Sequence, residues 1–128
     1  MSKTSATPLG KVRGLGSAHH GATHWLAERF SSVALLLLGI WLIASLVMLP
    51  DLNRMTLLEW LRQPIPAVLM GLFIVSAFAH GLDGLKVVVD DYVHDEGTRI
   101  GIGFALTMVA IFGGALALFA LAKIALGA

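Results

Sequence analysis

Apolar residues in this chain gather into three runs separated by short polar connections. Phe30 to Leu49 is uncharged and is followed by Pro50. Pro66 to Leu82 carries no acid or strong base, and Val87 to Val89 continue its apolar character past Asp83 and Lys86. Ile100 to Ala122 is uncharged and ends at Lys123. At ~1.5 Å per residue, roughly 20 helical residues cross the hydrocarbon core of a bilayer. The first and third runs suffice outright, and the second suffices if its helix continues toward Asp90. Lys86 can snorkel to the interface, whereas Asp83 is short and needs a polar partner or nearby headgroups. The pattern predicts an all-α membrane protein. A polar segment over 1–29 leads into a domain over 30–128 with three transmembrane helices at about 30–49, 66–89 and 100–124.

Between the first two runs, Leu52, Met55, Leu57, Leu58, Trp60 and Leu61 alternate with Asp51, Arg54, Glu59 and Arg62. That spacing predicts a short amphipathic helix lying in the interface as an anchor, with Trp60 at headgroup depth. Gly113 and Gly114 interrupt the third run, where small residues let helices approach closely in lipid. Asp95 or Thr98 suits the N-cap of the third span.

Composition sharpens the membrane reading. The 128 residues are 57% hydrophobic and 13% charged, with a mean hydropathy of +0.84, where soluble domains carry about a quarter charged residues. There is no cysteine, which excludes disulfides and thiolate ligation within the chain. A formal charge of +1 with no basic block gives no footprint for nucleic acid. The N-terminal segment does not read as a signal peptide, because the first apolar run is too long for one. Lys3, Lys11, Arg13, Arg29, Lys86 and Arg99 fall on one side of the spans, and Arg54, Arg62 and Lys123 on the other. The positive-inside rule then predicts a cytoplasmic N-terminus.

Few residues offer chemistry. Ser76, His80 and Asp83 lie in one helical row, but no oxyanion donors accompany them, and a membrane serine usually bonds its own backbone. Gly101-Ile102-Gly103 lacks the preceding strand and following lysine of a phosphate loop. His80 is different, being the sole histidine within an apolar run. Asp83, Gly84, Val87 and Asp91 share its helical face, and Gly81 and Gly84 leave a surface free of side chains on which a planar macrocycle could rest. An imidazole there either ligates such a group's iron or is hydrogen-bonded to a serine or carbonyl of a neighbouring helix. With one such histidine, a second axial ligand would have to come from another subunit. Tyr92, the sole tyrosine, lies among Asp90, Asp91, Asp95 and Glu96 in what reads as the loop after the second span. Its hydroxyl is able to donate to a carbonyl of a lipid-soluble ligand.

Taken together, HWLAERFSSVALLLLG at 24–39, His80, and Asp91-Tyr92-Val93-His94 beginning eleven residues later resemble the D-type hydrophobic anchors of succinate dehydrogenase, respiratory complex II. The resemblance covers essentially the whole chain. It implies a bacterial inner-membrane subunit in a heteromeric helical bundle with a second, C-type anchor. That bundle docks an iron–sulfur subunit and a flavoprotein and passes electrons from succinate to ubiquinone. It also implies that His80 ligates a haem b shared with the partner anchor, that Tyr92 and Asp91 belong to the quinone site, and that Arg29 lies near a haem propionate or the quinone. His24 matches the histidine that leads into the family's first helix and receives no defined task. Twelve residues of helix from His80 to Tyr92 advance ~18 Å, which is compatible with His80 toward mid-membrane and Tyr92 at the surface. Two rival readings are the anchor of a quinol:fumarate reductase and a small homo-oligomeric transporter using Asp83 and His80 as a relay.

Overall fold

The computed structural model describes residues 21–127, with the side chains of 26 and 29–127. The basic residues Lys3, Lys11 and Arg13, and the side chain of His24, lie outside the described residues. Four helices follow one another: α1 (Gly21–Met48), α2 (Arg54–Arg62), α3 (Pro64–Tyr92) and α4 (Glu96–Ala125). No strand occurs among the described residues. Helices α1, α3 and α4 are each long and apolar enough to cross a membrane, so the chain is a multi-pass membrane protein.

Local chemistry sets the boundaries. Asn53 caps α2, its side-chain oxygen accepting from the Thr56 backbone N–H at 3.0 Å. Asp51 adds a second acceptor, taking the Thr56 hydroxyl at 2.6 Å and the Asn53 N–H at 3.2 Å. These bonds, the Thr56 hydroxyl foremost, hold the Asp51 carboxyl below the usual carboxylate range. Gln63 alone separates α2 from α3, in extended geometry, and Pro64 opens α3 where a missing N–H is no loss. Asp95 caps α4 by accepting from the Thr98 N–H at 2.7 Å.

The apolar runs understate the helices. Helix α1 begins at Gly21 rather than Phe30, α3 continues to Tyr92, and α4 begins at Glu96 rather than Ile100. Asp90, Asp91 and Tyr92 therefore form the last turn of α3, and the loop shrinks to Val93–Asp95.

Helix α3 is the centre of the arrangement. It packs against α1 on one side and α4 on the other, while α1 and α4 do not meet among the described residues. Helix α2 lies across one end of α3 and α4. Its Trp60 differs from expectation. It is buried and stacks on Trp41 of α1, with ring centroids 5.7 Å apart, so it pins α2 to the bundle rather than resting among headgroups. Trp60 and Pro66 are the buried residues of the described chain. Leu36, Ile43, Phe112 and Phe119 are all exposed. So much uncovered apolar surface suits lipid or other membrane chains, not water.

The close approach expected at Gly113 and Gly114 is present, with an aromatic ring as the partner. A Cβ at Gly113 would lie 2.9 Å from Cε1 of Phe78, and one at Gly114 would lie 3.5 Å from its Cγ. Glycine leaves the notch into which α3 inserts that ring.

Candidate functional site

Polar groups within the spans converge where α1 passes α3. An open cleft of about 280 Å³ is lined by Arg29 and Ser32 from α1 and by His80, Asp83, Gly84 and Val87 from α3. The i, i+3, i+4 and i+7 row read from the sequence thus forms one wall of a real cavity. His80 and Ser32 also border a trough of Leu35, Leu36, Gly39, Ile40 and Ile43 that continues along α1. The cleft therefore has a charged end and an apolar end with the imidazole between them.

His80 is half-buried, and its Nδ1 lies 3.4 Å from the Ser31 hydroxyl. In the tautomer whose Nδ1–H donates to the Ser31 hydroxyl, Nε2 is the nitrogen open to a metal. Among the described residues, no group of three or more His, Asp and Glu side chains could hold a bare ion. A lone imidazole suits a metal whose other ligands come from a macrocycle and from a second chain. Gly84 supports that fit, since a Cβ there would meet nothing within 4 Å. Gly81, which the sequence grouped with it, faces the other way. It lines an apolar hollow between α3 and α4 with Phe78, Leu85 and Leu106.

The Ser31 contact also sets the level of His80 against α1. Ser31 stands two positions past Arg29, where the apolar stretch of α1 begins. His80 faces Ser31, so the imidazole lies opposite the start of that apolar stretch. Asp83, one turn farther toward the α3–α4 loop, is level with the charged start of that band, which relieves the penalty of burying it.

Tyr92 and Asp91 are not part of this cleft. Both are exposed at the end of α3, Tyr92 at 80%. Tyr92 is ~18 Å along the helix from His80 and ~120° around it, while Asp91 returns to the histidine's face. Asp90 reaches Arg99 of α4 at 3.8 Å across the loop, a partly exposed pair that contributes little to stability. The Thr98 hydroxyl, and then its backbone N–H, hold the Asp95 carboxyl below the usual carboxylate range. The resulting surface at this end of the bundle is acidic, polar and unroofed.

Comparison with known proteins gives these positions a context. The profile of the family described as succinate dehydrogenase/fumarate reductase transmembrane subunit matches residues 3–122. The chain is 35% identical to the succinate dehydrogenase hydrophobic membrane anchor subunit of Paracoccus denitrificans, over 95% of this chain and 94% of that one. It is 25% identical to the protein of the same name in Rickettsia bellii, over 79% of this chain and 81% of that one. The Rickettsia conorii protein is 33% identical over 65% and 67%. No solved structure matches the chain.

Proposed function

The chain belongs to the family of succinate dehydrogenase/fumarate reductase transmembrane subunits, and we propose that it is the D-type membrane anchor of a succinate:quinone oxidoreductase. The observation that carries the site assignment is the convergence of His80, Arg29 and Asp83 on one α1–α3 cleft opening into an apolar trough. The names of the relatives favour succinate oxidation over fumarate reduction, and they give no support to a free-standing transporter. The uncovered apolar faces suit a heteromeric bundle with a second anchor chain, on which iron–sulfur and flavoprotein subunits dock from the cytoplasmic side of a bacterial inner membrane.

In this reading His80 would hold the iron of a haem b shared with the partner anchor. Ser31 would orient the imidazole through Nδ1, and the Arg29 guanidinium would neutralise a propionate at the charged end of the cleft. Gly84 leaves room for the ring edge, and the Leu35–Ile43 side of α1 keeps water from the apolar end. Bound there, haem would supply a one-electron store close to the quinone. Tyr92 donates its phenolic hydrogen to a carbonyl of ubiquinone at the cytoplasmic interface, and Asp91 conducts protons to the reduced quinone. Tyr92 is exposed in this chain, so the remaining walls of that site come from the partner subunits.

Purification of the tagged chain from its native membrane tests this proposal. Three companions are expected: a second anchor, an iron–sulfur subunit and a flavoprotein, with haem. His80→Ala should retain the companions while abolishing or shifting the haem band. A homo-oligomer without companions would sink the anchor reading, and an unchanged band in the variant would sink the ligand assignment.

A further inference from the structure

Asp83 lines the cleft, yet the anchor reading gives it no task. It lies three positions past His80, in the cleft that Arg29 of α1 also lines. It makes no hydrogen bond or ion pair among the described residues. Arg29 is the charged group that α1 brings to this cleft, and α2 and α4 bring none. Lys86, Asp90 and Asp91 lie farther along α3, outside it. An ionisable side chain that lines a cleft beside an apolar band points to function.

We propose that Asp83 tunes the reduction potential of the iron group held by His80, its negative charge favouring the oxidised form. The inference rests on the haem reading above. Reduction adds one electron to the ferric iron, breaks no bond, and lowers the positive charge of the group by one. A nearby carboxylate stabilises the more positive, oxidised form and so lowers the potential, and a guanidinium does the reverse. The cleft holds one of each, Asp83 from α3 and Arg29 from α1, both near the imidazole. In partly buried surroundings such fields are screened far less than in water. Two charges of opposite sign on separate helices predict two shifts of opposite direction.

Potentiometric titration of the haem band in the intact complex, in its membrane, tests the proposal. In Asp83→Asn the ratio of reduced to oxidised haem at a fixed potential should rise about tenfold, equivalent to ~59 mV for a one-electron couple. Asp83→Glu, which keeps the charge, should stay near the wild-type midpoint. Arg29→Gln should move the midpoint downward. Asp83→Asn with its haem retained and its midpoint unchanged would overturn the proposal while leaving the haem reading intact. So would loss of haem from Asp83→Asn, since the carboxylate would then hold the site together rather than tune it. A wild-type complex without haem would remove both readings at once.

Discussion

Where α3 meets α4, Phe78 is pressed against Gly113 and Gly114, and the hollows on either side are lined by apolar residues such as Leu82, Leu85 and Val109. Where α3 meets α1, Ser31 faces His80, and Arg29 and Asp83 stand at an open cleft. In lipid, burying apolar surface between helices gains little, because the acyl chains are as apolar as leucine; closeness and polar contacts do the holding. The α3–α4 seam uses closeness, and this chain completes it alone. The α1–α3 seam leaves polar groups beside a cavity, which this chain does not complete. One seam is closed by the chain's own packing; the other is left open, and it is there that the proposed haem would sit.

The harshest way to break that comparison is to fill the glycine notch. Gly113→Val should destabilise the α3–α4 pair by about 1–3 kcal/mol, the usual penalty for overpacking, because its Cβ would strike the Phe78 ring. A lowered Tm of the purified complex would report it, with partial recovery in Gly113→Val/Phe78→Ala. Gly84→Val on the other seam should leave Tm near wild type but lower the haem content, since a Cβ there meets only open space within the chain. Equal Tm losses at both sites would erase the distinction between the seams.

Tyr92 sharpens it at the end of α3, outside both seams. Tyr92→Phe keeps the ring and deletes the donor, so ubiquinone reduction should fall about tenfold, equivalent to ~1.4 kcal/mol in the barrier. Succinate oxidation by an artificial acceptor that takes electrons upstream of quinone should be spared. Equal loss in both assays would point to misassembly, and no loss in either would remove Tyr92 from the quinone site.

The smallest effect lies at the start of α4. Thr98 holds the Asp95 carboxyl below its unfolded value, so the cap's contribution is present above the usual carboxylate range and disappears as pH falls through the depressed folded value. Protection of the Thr98 amide against hydrogen exchange should therefore be flat from neutral pH down to that range and then fall. Asp95→Asn, an equally good cap without a titrating group, should abolish the pH dependence. If protection fell with the same profile in the variant, the cap would not be its cause.

The sequence carries some of this plainly and some not at all. Three spans, the glycine notch, the Asp95 cap and the shared face of His80, Asp83, Gly84 and Val87 are all local or periodic features, and all are found. The ends of α1 and α3 were not legible, because helix continues beyond the apolar run and Val93 ends α3 with no glycine or proline to signal it. The pairing of His80 with Ser31 and the burial of Trp60 against Trp41 join positions far apart in the sequence. A lone tryptophan in an amphipathic segment reads the same whether it rests among headgroups or beneath a neighbouring ring. Only the packing of α1 decides.

The three-residue connection Val93–Asp95 also governs how the chain is made. A link so short keeps the start of α4 beside the end of α3, and Phe78 sits opposite its notch. Helix α1, synthesised first, touches neither α4 nor that notch and must wait for α3 before its own seam exists. Each seam can close only once its later helix has been made, α3 for the first and α4 for the second.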